Sequence, residues 1–262
     1  MATTQPDMIG AQMGSLLFVG CSHVAAFARA GESLKRENPG SKRILAVHLQ
    51  NPKYLPQIVE RATGFGLSDA MEELLTRHMK QGARIVSCAG GNRHNIIGLM
   101  RHPCPFDFVL PERPDLPITP DCQLVPSSLI EDFMRRDTRA EKTMLGALKA
   151  TAPDLVHIES PPPVRDDSFI LENADQYFRS RDIQGTGVTP AWIRYKLWKT
   201  YSKVIRGYCT ELGIGFMPTP QTVMDESGFL LPDARIDATH GNEWYAGKIV
   251  HYLEGVMFGE AK

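Results

Sequence analysis

The stretch Ser15-Leu16-Leu17-Phe18-Val19-Gly20-Cys21-Ser22-His23 decides the reading of this chain. A continuous apolar run ends in glycine and a short polar turn, and a helical pattern begins at once over 23–38. Unbroken apolar runs of this length suit strands buried on both faces, whereas half-exposed strands alternate. Four more runs of the kind follow: 43–49 (RILAVHL), 83–88 (ARIVSC), 155–159 (LVHIE) and 214–218 (IGFMP). Helical patterns fill the gaps over 23–38, 69–81, 127–151 and 190–212. In the last, Ile193, Leu197, Tyr201, Val204, Tyr208 and Leu212 share one face. Trp192, Tyr195 and Trp198 lie off that stripe, placed to cover a site or to pack on a neighbouring loop.

Strands alternating with helices predict a parallel sheet with helices on both faces. The expected fold is α/β, a three-layer flavodoxin-like sandwich with a five-stranded parallel sheet in the order 2-1-3-4-5. Residues 15–262 are read as one domain after an N-terminal tail over 1–14. Two long segments interrupt the alternation: the proline-rich 102–126 and the stretch 161–189, each either a functional wall or a packed excursion.

The chain has 262 residues, with 29 basic and 30 acidic side chains. This balance lacks the basic excess with which nucleic-acid binders neutralise phosphates. No run is long and apolar enough for a membrane span, and the start carries no basic-then-apolar leader. Cys21, Cys88, Cys104, Cys122 and Cys209 form an odd set without CxxC spacing, which argues against a disulfide framework or a structural zinc. The expected location is cytoplasmic; the oligomeric state is open.

Three short clusters carry chemistry. Ser22 follows the first strand at a helix N-terminus, where a hydroxyl is exposed and the helix dipole favours developing negative charge; a serine there can equally cap the helix. Gly90-Gly91-Asn92-Arg93-His94-Asn95 follows the third strand. Its glycines allow close backbone approach, and an asparagine amide can stabilise an oxyanion or merely bond the local turn. Asp237-Ala238-Thr239-His240-Gly241-Asn242 follows the fifth strand, with a carboxylate spaced to orient the imidazole. In a 2-1-3-4-5 sheet, the first and third strands are neighbours and the ligand crevice opens between their carboxyl ends. Ser22 and Asn92 then flank one crevice, and His240 must reach back to it.

In these blocks the chain resembles the SGNH (GDSL-like) hydrolase superfamily. Gly20-Cys21-Ser22-His23 is similar to its serine block, Gly90 to Asn95 to its GxND block, and Asp237 to Asn242 to its DxxH block, in matching order. The resemblance implies a serine hydrolase that cleaves a small acyl ester, as an esterase or carbohydrate O-deacetylase. Ser22 would be the nucleophile and Asp237 and His240 its relay. The oxyanion hole would use the Ser22 amide, a glycine amide from Gly64 or, by preference, Gly66, and Asn92. His94 and Asn95 are candidate substrate contacts. The substrate would be a small-molecule or carbohydrate ester, with no cofactor and no metal.

Two departures stand out: Cys21 replaces the usual aspartate before the serine, and Arg93 the one after the asparagine. A nucleophilic Cys21 is disfavoured because neighbouring side chains at a strand end point to opposite faces. Two other classes stay open: a sugar or polysaccharide O-acyltransferase with the same triad, and a non-catalytic binding protein with this fold.

Overall fold

A computed structural model of the chain describes residues 14–39, 43–62 and 64–258. All of the expected 1–14 tail except Gly14 lies outside the described residues. The five apolar runs form one parallel sheet: β1 (Leu16–Gly20), β2 (Ile44–His48), β3 (Arg84–Cys88), β4 (Val156–Ile158) and β5 (Gly215–Met217). The order is β2-β1-β3-β4-β5, the one expected.

β1 is buried along its whole length, and its side chains split between two cores. Leu17 and Val19 join the layer of α2 (Asp69–Lys80), α5 (Arg139–Thr151) and α9 (Ala191–Leu212). Leu16 and Phe18 join the layer of α1 (Val24–Glu37) and α10 (Glu243–Phe258), where Phe18 stacks on Phe27 at 3.9 Å between centroids. A strand apolar on both faces therefore reads as an uninterrupted run.

Register then places the turns. Gly20 pairs with His48 on β2 and Cys88 on β3, so the turns after β1 and β3 leave the sheet side by side. A Cβ at Gly20 would lie 2.4 Å from Cys88 Sγ and 2.7 Å from its carbonyl oxygen, which only glycine avoids.

The structure differs from expectation in three places. The helix expected over 127–151 is two, α4 (Ser127–Asp137) and α5, broken at Thr138. The Thr138 hydroxyl donates to the Met134 carbonyl at 2.7 Å and lies 3.2 Å from the Tyr208 hydroxyl, drawing the junction onto α9. An antiparallel hairpin, Ile58–Arg61 with Gly64–Leu67, stands before α2. The 161–189 stretch contains three short helices, α6 (Asp167–Asn173), α7 (Gln176–Arg179) and α8 (Ile183–Thr186), following α3 (Arg93–Gly98), α4 and α5 in the chain. Asp166, Asp175 and Asp182 cap their starts.

Both long segments are bolted to α9 by buried cations. Lys196 Nζ donates to Asp107 Oδ1 and to the Pro117 carbonyl, both at 2.8 Å, and neither charged side chain is exposed. Asp107 also accepts from the amides of Phe108 and Thr119. Arg194 holds the other segment through the carbonyls of Thr189, Val164 and Arg165 and through Asp167.

Removing one partner of such a pair strands a buried charge. Lys196→Ala is expected to lower unfolding free energy by about 3–5 kcal/mol. The double change Lys196→Met with Asp107→Asn, which keeps an acceptor for the Phe108 and Thr119 amides, should recover part of that loss. Urea melts of the three proteins decide it, and a single mutant within 1 kcal/mol of wild type would contradict the assignment. No helix among the described residues is long and apolar enough to cross a membrane.

Candidate active site

Ser22 sits in the turn between β1 and α1, where the Cys21 and Ser22 carbonyls accept from the amides of Val24 and Ala25. Its side chain is exposed, and the helix start at His23 has no side-chain cap bond. The hydroxyl is therefore not spent on capping. Cys21 turns toward the core on the α9 side, and burial pushes its thiol up, with only partial relief from the Gly90 backbone. A thiolate at Cys21 is thus disfavoured, whereas Ser22 is presented to solvent.

The second cluster forms a tight loop. Asp237 Oδ1 accepts from the amides of Thr239 (2.8 Å) and His240 (2.9 Å), and both carboxylate oxygens lie 3.0 Å from His240 Nδ1. An antiparallel bridge between Arg235 and Gly241 clips the loop shut. Asn242 finishes it, accepting from the Tyr245 amide at the start of α10 and donating to the carbonyls of Asp233 and Arg235. Burial works to raise the Asp237 carboxyl, but the hydrogen bonds and charge of His240 outweigh it and hold the group below its ordinary value. With acceptors crowding Nδ1, including the Thr239 hydroxyl at 3.0 Å, the imidazole proton belongs on Nδ1. Nε2 then keeps its lone pair, and it is buried without a hydrogen-bond partner.

The asparagine loop is shaped by Gly90 (φ 76°) and Gly91 (φ 95°), a region costly for other residues. A Cβ on Gly90 would strike Glu141, and one on Gly91 would lie 2.6 Å from His23 Cδ2. The Gly91 amide donates to the Tyr201 hydroxyl at 2.7 Å, tying the loop to α9. Asn95 Nδ2 donates to Asn92 Oδ1 at 2.8 Å, which leaves Asn92 Nδ2 as the free end of that amide. Arg93 pairs with Glu141 at 3.0 Å and steadies the first turn of α3.

The Asn92–Asn95 bond makes a sharp prediction. Asn95→Asp offers a carboxylate that draws Asn92 Nδ2 inward, whereas Asn95→Ala merely loosens the amide. If Asn92 is the oxyanion donor, the aspartate variant should lose about 100-fold or more in kcat, the order of losing one such donor. The alanine variant should lose less. Steady-state kinetics with one short ester decides it, and equal activity in both variants would remove Asn92 from that role.

Ser22, the Asn92 loop and the Asp237–His240 pair thus meet at one edge of the sheet, but not every predicted contact is made. His240 Nε2 has no partner, so no hydrogen bond joins it to Ser22. His23 is the residue packed on His240, with ring centroids 4.8 Å apart. Gly64 and Gly66 lie in the hairpin, Gly66 opposite Val59 and against the Arg61 side chain. His94 and Asn95 are 2% and 4% exposed, so they back the asparagine loop rather than face solvent. His94 packs beside Tyr201 with centroids at 5.4 Å.

Sequence reasoning missed His23, Tyr201 and Glu141 as parts of this edge; no motif marks Tyr201 or Glu141, and His23 stood in the serine block without a role of its own. A cavity of about 250 Å³ lies at the far end of α3, between Ile97, Met100, Phe106 and Ile193, and it includes none of the three clusters. Among the described residues no group of His, Cys, Asp and Glu is arranged to hold a metal ion.

No family model matches the chain, and no curated protein matches it either. Solved structures similar to it include a lipopolysaccharide acetyltransferase periplasmic domain from Salmonella ser. Paratyphi A (13% identity, 94% of this chain and 85% of that one, TM-score 0.46). A carbohydrate acetylesterase from Sinorhizobium meliloti is similar at 9% identity, over 93% of this chain and 98% of that one, with TM-score 0.44. A GDSL-like lipase from Bacteroides thetaiotaomicron is similar at 12% identity, over 93% and 87%, with TM-score 0.42. Likenesses this distant carry no weight for chemistry, which rests on the side chains described above.

Proposed function

We propose that this chain is a serine hydrolase that cleaves small acyl esters through a covalent acyl-enzyme. The observation that carries the reading is the Asp237–His240 pair, its Nε2 unpartnered, at the sheet edge where the Ser22 turn and the Asn92 loop emerge. Nucleophile and base commonly draw together only when substrate arrives, so the open Ser22–His240 contact is compatible with this role.

In the proposed cycle, His240 Nε2 takes the Ser22 proton as Ser22 Oγ attacks the ester carbonyl. The oxyanion of the tetrahedral intermediate rests on Asn92 Nδ2 and backbone amides, with the Ser22 amide and Gly66 as candidates. His240 returns the proton to the departing alcohol, leaving an acyl-serine. Water then attacks the acyl carbon as His240 takes its proton; when the tetrahedral intermediate collapses, the acyl–Oγ bond breaks, His240 returns that proton to Ser22 Oγ and the free acid leaves. Asp237 holds the imidazole in its tautomer and stabilises the imidazolium. Every step uses groups of the chain and water alone.

The direct test is intact-mass analysis after treatment with a fluorophosphonate, on wild type beside Ser22→Ala. One adduct on wild type, lost in the variant, is the expected result. No adduct on folded wild type would overturn the proposal.

A further inference from the structure

We infer that His23 is a positioning residue for His240 and the asparagine loop, acting by the shape of its ring. This rests on the reading of His240 as the base. His23 follows Ser22 directly, yet it faces the opposite way: Ser22 is exposed, and His23 is 6% exposed. Its ring lies 4.8 Å from the His240 ring at 52° and directly against the Gly91 backbone, where a Cβ would come within 2.6 Å of it. One imidazole therefore touches the three parts of the site at once: the serine turn by covalent linkage, the oxyanion loop through Gly91 and the base through His240.

Neither His23 nitrogen has a hydrogen-bond partner. The only polar neighbour that favours its charged form besides Asp237 is the Gly91 backbone, too poorly aligned to count as a hydrogen bond, so the ring acts mainly through its volume and flat face, which hold two neighbours at a set separation. The groups around it are His240 and Asp237 from the loop before α10, His94 and Gly91 from the asparagine loop, and Glu159, Ser160 and Tyr245 across a small cavity behind the ring. Burial, with His240 and His94 nearby, holds His23 down at about 3, so it stays neutral while His240 gains and loses its proton. A neutral spacer does not oppose the imidazolium that forms beside it.

The ring-as-spacer role separates shape from chemistry, and two variants test it. His23→Ala removes the spacer and should lower kcat about 100-fold, the order expected for a displacement near 1 Å, with KM within about threefold. His23→Phe keeps a neutral ring and should return kcat to within about threefold of wild type. Rescue by phenylalanine is the result a proton-carrying role for His23 would forbid. Unchanged kcat in folded His23→Ala would overturn the inference, as would His23→Phe failing to recover activity while folded. If His23→Ala does not fold, the phenylalanine variant alone decides.

A second readout is independent of turnover. The downfield proton resonance of His240 Nδ1–H, bonded to Asp237, should be sharp in wild type and in His23→Phe. It should exchange-broaden in His23→Ala; an unchanged resonance there also overturns the inference. If wild type takes no fluorophosphonate adduct, the hydrolase reading fails by that measurement, while the resonance still reports on His23.

Discussion

Ser22→Ala is expected to abolish ester turnover, by about 10⁴-fold or more in kcat, and to leave the unfolding midpoint where it was. The two halves of that expectation come from different observations. The hydroxyl is the proposed nucleophile, so its loss removes the covalent route altogether. The side chain is exposed and no cap bond uses it, so folding loses little. His240→Ala should fall as far as Ser22→Ala, and the double variant no further, because residues that act as one unit are not additive. Asp237→Asn should cost about 10⁴-fold by favouring the wrong tautomer at Nδ1. Stopped assays on a 4-nitrophenyl ester, with melts of the same preparations, give both numbers. Retained activity in folded Ser22→Ala would end the assignment. A loss matched by unfolding would leave the nucleophile to be decided by the fluorophosphonate adduct.

The second large effect is on stability in mild acid. His23, His94 and His157 are all buried, and burial holds them at about 3, about 3 and about 4 respectively. An unfolded chain binds a proton at each near the ordinary value of about 6.5. The unfolded state therefore holds more protons below that value, so stability is complete above it and falls as pH drops toward the folded values. Each histidine contributes a slope of about 1.4 kcal/mol per pH unit, or about 2 kcal/mol by pH 5 and about 6 kcal/mol for the three. Against the 5–15 kcal/mol usual for a domain, that loss is about two-fifths of the stability at the upper end of the range and all of it at the lower end. Urea unfolding at pH 8, 7, 6 and 5 measures the slope. His157→Gln, whose parent bonds Ser87 at 3.1 Å, should remove one proton from it. A flat profile between pH 7 and 5 would mean that these rings reach solvent.

How much of this was legible beforehand varies with the range of the interactions involved. The five strands and the doubly wound sheet follow from runs such as Leu16–Gly20, because a strand buried on both faces must be apolar throughout; their order is that of a common doubly wound arrangement, and no single run determines it. The α9 stripe was legible for a similar reason: Ile193, Leu197, Tyr201, Val204 and Tyr208 are all buried. The Asp237–His240 pair was legible because three residues of spacing in a tight loop bring carboxylate and ring together without help from the rest of the fold. By contrast, nothing local announces the break at Thr138, which is drawn to Tyr208, 70 residues away in the chain.

The sequence by itself therefore determined the sheet, its turns and the identity of the three polar clusters, since period, glycine placement and short spacing are local properties. The tertiary structure decided which way each residue in those clusters faces and what it touches. It turned Ser22 outward and His23 inward, bound Asn95 to Asn92, and clamped both long segments to α9 through Lys196 and Arg194. Those outcomes depend on which distant atoms fill the space beside a side chain, and close packing settles that only once the whole chain is folded.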